Sequence, residues 1–398
     1  MKLKFAKRMS YIKASEIREI LKVTEREDVI SFAGGLPAPE LFPIDEINKM
    51  NQVVLQEAGA KALQYTTTEG YYPLREWIAK RMNKRLGTSF DKDNILITHG
   101  SQQGLDLSGK VFLDDGDIVL CESPTYLAAI SAFKSYGSSF IEIPTDEGGM
   151  DMATLEEVLN NTQNIKLIYV IPTFQNPTGK TWSLERRKKL AELSALYDIP
   201  VIEDNPYGEL RFEGESLPSI KSFDKVGNIL CTGSFSKIFC PGFRIGWIAG
   251  DKDIIRKYVL VKQGTDLQCN TIAQMTIAEY LKRYDIDEHI SKIVEVYRKR
   301  RDIALECIER YFPNDIKYTH PQGGLFTWIE LPENISARDI LQKCIEQKIA
   351  FVPGGSFYPV EHKENTFRIN YSNMPEDRIM KGLQVIGEVL KEYIHQLK

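Results

Sequence analysis

The sequence predicts an α/β fold with two parts: a large domain around a mostly parallel sheet of seven strands, and a smaller α+β domain after it. The first observation is a regular alternation of short apolar runs with helical patterns, which begins at residue 94. Such alternation is typical of a parallel sheet covered by helices on both faces. The second is that the pattern becomes helical after Asp251 and then mixes short strands with helices. The apolar runs lie at 95–98, 118–121, 140–143, 167–171, 201–203, 229–231 and 245–249.

Length and composition agree with a globular protein of this kind. The chain has 398 residues, enough for two domains, with 42% hydrophobic and 27% charged residues. A net charge of −4 argues against a nucleic-acid partner and against a polybasic membrane patch, and no apolar stretch is long enough to span a membrane. Six scattered cysteines without a Cys-x-x-Cys pair argue for reduced thiols and against a metal site. A basic N-terminus that no apolar run follows argues against a signal peptide, so we expect a cytoplasmic location.

Residues 1–48 are expected to form an N-terminal segment that joins the small domain. A helical pattern lies within 10–29, where Ser15 can cap the helix. The stretch 31–39 contains two glycines and then two prolines, which is typical of an irregular, extended loop. Gly35 in this loop allows the backbone to approach a ligand closely, although such a string is more often only a loop.

The large domain is expected over 49–286 and the small domain over 287–398. Residues 45–60 and 74–85 are helical in pattern, and a loop rich in threonine and glycine, which contains Tyr65, lies between them. Helical patterns between the apolar runs lie near 102–113, 127–136, 152–160 and 184–197. The small domain is expected to contain a long helix at 287–311, strands near 316–320, 324–330, 349–353 and 366–370, and helices near 337–347 and from 376.

One lysine, Lys237, lies in the tight loop Gly233-Ser-Phe-Ser-Lys237 between two apolar runs. Desolvation and a nearby cation, Arg244, both favour its neutral amine, which can form a Schiff base with an aldehyde. The hydroxyls of Ser234 and Ser236, together with Arg244, suit a phosphate close to that aldehyde. Pyridoxal phosphate carries both groups. An exposed lysine in a Gly/Ser loop is the alternative for the short Ser-x-Ser-Lys string alone.

This loop closely resembles the lysine loop of the class I/II aminotransferases, the fold-type I enzymes that depend on pyridoxal phosphate. The matching pieces are Ser234-Phe-Ser-Lys237 and Pro241-Gly-Phe-Arg-Ile-Gly-Trp247. The string Ala33-Gly-Gly-Leu-Pro37 resembles the substrate-side segment of one subgroup, which includes 2-aminoadipate and broad-specificity aromatic enzymes. The resemblance extends from about residue 31 to the C-terminus, and it implies a fold-type I transferase.

Three further motifs follow predicted strands, where ligands of parallel sheets bind. Thr98-His-Gly-Ser-Gln-Gln-Gly104 opens a helix, and the backbone N–H groups of Ser101 and Gln102 suit a phosphate. Tyr126 can stack on a pyridine ring, or else it is a core tyrosine. Asn176, in Asn-Pro-Thr-Gly, can donate its amide to a phenolate oxygen, although this string is also an ordinary turn.

Two charged residues are expected to bind the cofactor and the substrate. Asp204 ends an apolar strand, where a buried carboxylate needs a partner such as a protonated pyridine nitrogen; the alternative is a helix cap. Tyr207 can hydrogen-bond the phenolate oxygen beside Asn176. Arg368 lies in the strand-like Asn365-Thr-Phe-Arg-Ile-Asn370 and matches the family arginine for the substrate α-carboxylate; the alternative is a structural ion pair.

The resemblance implies transamination of an L-amino acid, with 2-oxoglutarate as the expected acceptor. Lys237 would act as general base and acid, and Asp204 would keep the ring nitrogen protonated. The family places a Tyr-x-x-x-x-Gly segment at a dimer interface, and Tyr65 matches the tyrosine that reaches the partner subunit's cofactor phosphate. A homodimer is therefore expected, and the alternative for Tyr65 is an interface aromatic without cofactor contact.

Arg18 is a candidate for reading the substrate side chain. It lies next to the apolar face that Ile17, Ile20 and Leu21 form on the N-terminal helical pattern. In the 2-aminoadipate-like subgroup this helix covers the substrate, and an arginine in a similar context can reach a distal carboxylate. A solvated surface arginine is the equal alternative.

Two other function classes remain. A carbon–sulfur β-lyase or a decarboxylase on the same scaffold would use the same lysine, aspartate and arginine, and the release of pyruvate and ammonia from cystathionine would identify a lyase. Some transcription regulators carry this domain behind a DNA-binding winged helix. The match begins near residue 31, which is expected to leave no room for such a domain, and the charge balance lacks a basic recognition face.

Overall fold

The computed structural model describes residues 3–12, 28–361 and 363–397. The α-helices of this part of the chain are α1 (Ile44–Ala62), α2 (Tyr72–Leu86), α3 (Gly100–Phe112), α4 (Leu127–Lys134), α5 (Met152–Asn161), α6 (Leu184–Tyr197), α7 (Lys252–Gln263), α8 (Thr271–Arg283), α9 (Ile286–Tyr311), α10 (Ala337–Glu346) and α11 (Glu376–Leu397).

The strands include several of only two residues. They are β1 (Ile30–Ser31), β2 (Ile95–Thr98), β3 (Ile118–Ser123), β4 (Ser139–Asp146), β5 (Gly149–Met150), β6 (Ile165–Val170), β7 (Val201–Asp204), β8 (Ile229–Ser234), β9 (Gly246–Ala249), β10 (Lys317–Tyr318), β11 (Phe326–Glu330), β12 (Ile349–Ala350), β13 (Val352–Pro353) and β14 (Thr366–Asn370).

The main sheet has eight strands in the order β2-β9-β8-β7-β6-β3-β4-β5. Strands β8, β7, β6, β3 and β4 are parallel, whereas β9 runs antiparallel to both its neighbours. The predicted α/β class is confirmed, and seven of the strands were expected. The eighth, β5, forms a short antiparallel hairpin with β4, and its Gly-Met pair is too short to produce an apolar run.

Several strands of the main sheet, including the edge strand β2, are buried on both faces. All residues of β2, β7 and β8 are buried, and β7 has the pattern Val-Ile-Glu-Asp with both carboxylates inside. The parallel strands β6, β7 and β8 end at one edge of the sheet, at Val170, Asp204 and Ser234. Polar residues at these strand ends therefore converge on one edge.

A second, antiparallel sheet has the order β10-β11-β14-β13. Arg368 is the central residue of the fully buried strand β14, and it lies opposite Trp328 of β11 and Val352 of β13. This sheet therefore places a guanidinium inside the protein.

The segment after residue 27 belongs to this second unit. Strand β1 pairs in parallel with β12, and the backbone N–H of Asn370 donates to Phe32 O at 3.0 Å. Most of the helical pattern predicted at 10–29 lies outside the described residues, and residues 7–10 form a 3₁₀ turn.

Helix α9 spans 26 residues and packs along α11. Asp285 caps it by accepting from the N–H of Asp287, and Asp287 and Glu288 lie in its first turn, where negative charge stabilises a helix. Among the residues that the structure describes, no helix is long and apolar enough to cross a membrane.

Candidate active site

A cavity of about 400 Å³ lies where the carboxyl edge of the main sheet meets the 33–35 loop and strand β14. Most of the predicted site residues line it, although they come from segments far apart in the sequence. They are Gly35, Ser101, Gln102, Tyr126, Asn176, Asp204, Tyr207, Ser234, Ser236, Lys237, Arg244 and Arg368.

Lys237 projects into this cavity from the turn after β8. Its Nζ donates to the carbonyl oxygen of Gly35 at 2.6 Å. Burial, reinforced by the positive charges of Arg368 and Arg244, lowers the pKa of the amine from 10.5 to about 8. The neutral, nucleophilic form of this lysine is therefore far more populated near neutral pH than that of an ordinary lysine.

One end of the cavity presents donors suited to an anion. Helix α3 begins at Gly100, so the N–H groups of Ser101 and Gln102 lie in its first turn and lack intrahelical acceptors. The hydroxyls of Ser234 and Ser236 lie 2.8 Å apart across the start of the lysine loop.

Arg244 completes this end, and a glycine makes room for it. Gly100 has a φ of +67°, and a Cβ on it would lie 2.6 Å from Arg244 Nη2. The guanidinium donates to the carbonyl oxygens of His99 and Pro241, each at 3.4 Å, and it forms no ion pair with a carboxylate in the described part of the chain. His99 occupies the N-cap position of α3 without a side-chain capping hydrogen bond, and its Nε2 lies 3.2 Å from Asp266 Oδ2.

Asp204 lies at the floor of the cavity and is 1% exposed. Its Oδ2 accepts from the Tyr169 hydroxyl at 2.9 Å, and its Oδ1 accepts from the Thr232 hydroxyl. Burial raises the pKa of this carboxyl, and the two hydroxyls oppose the rise. A protonated ring nitrogen in the cavity would stabilise the anion.

Two hydrogen bonds link Asn176 to Tyr207 and to Arg368 in the same cavity. Asn176 Nδ2 donates to the Tyr207 hydroxyl at 3.4 Å, and Asn176 Oδ1 accepts from Arg368 Nη1 at 2.7 Å. Burial raises the pKa of the Tyr207 hydroxyl well above its ordinary range. Asn176 is therefore oriented with its amide nitrogen towards the tyrosine oxygen.

Two aromatic rings lie close to the guanidinium of Arg368. Its guanidinium carbon lies 4.1 Å from the Phe326 ring centre and 5.1 Å from that of Phe357. Nη2 donates to Ala33 O at 2.6 Å, whereas the buried Nε has no hydrogen-bond partner in the part of the chain that the structure describes. Within the described residues no carboxylate pairs with this guanidinium, and burial lowers its pKa to about 10. A ligand carboxylate would supply the missing negative charge.

Several residues of the site were missed by the sequence analysis. Leu127, Ala128 and Phe357 form an apolar part of the cavity wall, and Tyr169 and Thr232 hold Asp204. Thr232 could have been suggested by its place at the end of an apolar run, two residues before Ser234. The other four residues could be assigned to the site only from the strand order and the loop paths.

Two predicted residues lie elsewhere. Tyr65 is 78% exposed and does not line the cavity of its own protomer. Arg18 lies outside the described residues. The roles suggested for both therefore remain predictions.

A second cavity, of about 710 Å³, lies behind the lysine loop, between α2 and α9. It is larger, but Lys237, Asp204 and Arg368 do not border it. Its wall residue Arg81 is already paired, with Nε 2.9 Å from Glu209 and Nη2 2.6 Å from Asp287. The chemistry belongs to the smaller cavity.

Comparison with known proteins agrees with this geometry. Residues 27–386 match the family model for aminotransferase class I and II. The chain belongs to this family. It is an aminotransferase, and its cofactor is pyridoxal 5′-phosphate.

Three relatives illustrate the similarity. The chain is 46% identical to an aromatic-amino-acid aminotransferase of Thermococcus litoralis, over 98% of this chain and 94% of that protein. The structure of Pyrococcus horikoshii kynurenine aminotransferase with PMP, kynurenine and its product is 45% identical, with a TM-score of 0.94 over 98% and 97% of the two chains. The α-aminoadipate aminotransferase LysN of Thermus thermophilus, with N-(5′-phosphopyridoxyl)-L-leucine, is 39% identical, with a TM-score of 0.92 over 98% of each chain.

The residues of the cavity fit this cofactor. The helix N-terminus, the two serine hydroxyls and Arg244 can hold a phosphate, and Asp204 can pair with a protonated ring nitrogen. Asn176 and Tyr207 can bond a phenolate oxygen, and Lys237 can bond an aldehyde carbon.

Proposed function

We propose that this enzyme transfers the amino group of an aromatic or aliphatic L-amino acid, or of 2-aminoadipate, to a 2-oxo acid, with 2-oxoglutarate as the acceptor. The observation that carries the proposal is the buried guanidinium of Arg368. It borders the same cavity as the low-pKa amine of Lys237, and its Nε has no hydrogen-bond partner among residues 3–12, 28–361 and 363–397. A buried cation without an anion is costly, so a substrate α-carboxylate is its expected partner.

Each residue then has a definite task. Arg368 binds the α-carboxylate through two parallel hydrogen bonds and so orients the Cα–H bond towards Lys237. The neutral Nζ of Lys237 accepts the Cα proton and would then donate it to the carbon that the cofactor aldehyde supplies, on the other side of the substrate nitrogen, because an amine with a pKa of about 8 can both accept and donate near neutral pH. When bound, the cofactor supplies an aldehyde that links the substrate nitrogen and a protonated ring that withdraws electrons. Asp204 holds the proton on the ring nitrogen.

The apolar wall supports the choice of amino donor. Leu127, Ala128 and Phe357 border the cavity, and Leu127 packs against a buried cluster that contains Phe357. An aromatic or aliphatic side chain gains free energy by leaving water against such a wall. A donor with a distal carboxylate needs a further cation, and Arg18 is the candidate for it. The aromatic and α-aminoadipate enzymes among the relatives support both donor types.

We also propose a homodimer in the cytoplasm. Tyr65 and its neighbour Leu63 are 78% and 71% exposed, which suits a surface covered by a second copy, with Tyr65 directed at the partner's phosphate site. The six cysteines are free thiols, which suits a reducing compartment. A fully active monomer at high dilution would contradict the dimer.

The central experiment compares two variants of the cavity. Lys237→Ala should lose both turnover and the visible absorbance of the lysine-linked cofactor, because no other lysine of the described residues lines the cavity. Arg368→Ala should keep that absorbance but raise the KM of every amino acid, because the phosphate and ring contacts remain. Normal transamination by Lys237→Ala would contradict the proposal.

A half-reaction screen then defines the donor. The enzyme is mixed with each amino acid, and the loss of the lysine-linked spectrum is followed without an acceptor. Leucine, phenylalanine and 2-aminoadipate should react, and Arg18→Ala should slow only 2-aminoadipate. Release of pyruvate and ammonia from cystathionine without a 2-oxo acid would instead identify a lyase.

A further inference from the structure

Two hydroxyl groups that lie outside the cofactor cavity contact the two oxygens of Asp204. Tyr169 comes from β6 and Thr232 from β8, the strands on either side of β7. Tyr169 donates to Oδ2 at 2.9 Å, and Thr232 donates to Oδ1. The carboxylate is therefore held at both oxygens, which fixes its plane as well as its position.

Packing leaves each of these donors little freedom. The Tyr169 ring is 1% exposed and packs edge-on against Phe133, with the ring centres 5.8 Å apart. Thr232 is 2% exposed, and its Cγ2 lies 3.5 Å from the position that a Cβ on Gly104 would occupy. Because the methyl group faces helix α3, the hydroxyl faces Asp204.

We propose that Tyr169 and Thr232 are positioning residues that keep Asp204 ionised and aligned, so that the proton shared with the cofactor's ring nitrogen stays on the nitrogen. The inference rests on the role proposed for Asp204. In a buried site the shared proton can reside on either partner, and the stronger base holds it. Each hydroxyl stabilises the carboxylate form and so weakens Asp204 as a base. Without them, the proton moves to the carboxyl group, and the ring nitrogen becomes neutral.

The test uses holoenzyme reconstituted with pyridoxal phosphate that carries ¹⁵N in the ring. The ¹⁵N chemical shift reports directly whether the nitrogen holds the proton, independently of turnover. In the wild type it should indicate a protonated nitrogen across the pH range in which the enzyme stays folded. In Tyr169→Phe and Thr232→Val the protonated fraction should fall, and kcat should fall about 10- to 100-fold, the effect expected of one hydrogen bond to a charged group.

Matched substitutions separate the hydroxyl from packing. Thr232→Ser and Thr232→Ala both lose the methyl group, but only the serine keeps a donor, so serine should keep the wild-type ¹⁵N shift and alanine should not. This pair decides the question even if Thr232→Val fails to fold. Tyr258→Phe and Thr276→Val remove buried hydroxyls that bond Ser108 Oγ at 2.8 Å and Asn51 Oδ1 at 2.7 Å, away from the cavity. Both should leave the shift unchanged.

The outcomes also distinguish this inference from the proposed function. If Asp204→Asn leaves the ¹⁵N shift unchanged, the role of Asp204 itself is wrong. If Asp204→Asn alters the shift while Tyr169→Phe and Thr232→Ala do not, Asp204 holds the proton alone and the inference is overturned.

Discussion

Strand β7 carries two adjacent buried carboxylates, Glu203 and Asp204, and they face opposite sides of the main sheet. Each is 1% exposed, and burial raises the pKa of both. Their surroundings differ. Glu203 accepts backbone N–H bonds from Ile220 and Lys221, each at 3.0 Å, and Arg187 supplies a nearby positive charge.

Asp204 has no such N–H donors among the described residues. It accepts two hydroxyl hydrogen bonds, and its free side borders the cavity. One carboxylate is thus satisfied by its own chain and holds the 3₁₀ turn 220–223 against the sheet. Asp204, in contrast, is available to pair with a cation of a ligand bound in the cavity. Burial alone therefore does not identify a functional carboxylate; what distinguishes Asp204 from Glu203 is that no cation of the described residues lies beside it.

The largest expected effect is the loss of activity when Asp204, on the cavity side of the sheet, is replaced. Asp204→Asn keeps the shape and one acceptor oxygen for the hydroxyls, and its N–H₂ group can donate to the other hydroxyl oxygen, but it cannot hold a proton on the ring nitrogen. We expect kcat to fall about 10²- to 10³-fold, as when one preorganised electrostatic group is removed. Steady-state kinetics of the holoenzyme measure this, and circular dichroism checks the fold. Glu203→Gln is the matched control, and it should keep kcat. Equal losses in both variants would remove the distinction between the two faces.

The next effect concerns the free energy of unfolding, which the buried ammonium of Lys237 lowers. The folded-state pKa of Lys237 is about 8 against an ordinary 10.5, so the unfolded chain binds more protons between these values. The free energy of unfolding of the cofactor-free enzyme should therefore rise with pH through this window. Below it, the buried ammonium costs at most about 3.5 kcal/mol, since each pKa unit is worth about 1.4 kcal/mol.

Lys237→Met removes this cost. Urea unfolding of cofactor-free protein should show the variant to be more stable than the wild type below the window and similar above it. Lys262→Met is the control, because the Lys262 ammonium is buried but paired with Asp266 at 2.7 Å, and its loss should destabilise. A pH-independent difference between Lys237→Met and the wild type would contradict the assigned titration.

Replacement of Glu203, on the opposite side of the sheet, should lower the stability and keep the activity. In Glu203→Gln an amide N–H₂ group must face the backbone N–H of either Ile220 or Lys221, so one donor loses its acceptor. We expect the free energy of unfolding to fall by about 1–2 kcal/mol. Because burial raises the pKa of Glu203, the folded protein binds this proton more tightly than the unfolded chain does, so the difference in stability should grow as the pH falls through the folded-state pKa. Denaturant unfolding at several pH values measures this, and an unchanged midpoint would contradict it.

The two carboxylates also show where sequence reasoning reached its limit. Strand ends converge at one edge of a parallel sheet, so Asp204, Asn176 and Lys237 could be expected together before any coordinates. The partners Tyr169 and Thr232 could not, because they depend on β6, β7 and β8 being neighbours in that order. The hairpin strand β5 was missed for a different reason: two residues carry no periodicity. Strand order and short hairpins are set by tertiary packing, which a single sequence expresses only weakly.

The smallest expected effect comes from the weak hydrogen bond between the Cys231 thiol and Glu203. The Cys231 thiol lies 3.5 Å from Glu203 Oε2, and burial raises the thiol pKa well above its ordinary value, so it stays protonated and can donate a weak hydrogen bond. Cys231→Ala removes this donor and also leaves a small void. Cys344→Ala removes a sulfur that is similarly buried, 0% exposed against 2% for Cys231, and that bonds no carboxylate of the described residues, so it measures the void alone. We expect Cys231→Ala to cost about 0.5 kcal/mol more than Cys344→Ala, the lower end of a net hydrogen bond. In the Glu203→Gln background this excess should vanish, because the charged acceptor is gone. An excess that persists there would assign the effect to packing around Cys231 and would leave Glu203 held by its backbone donors.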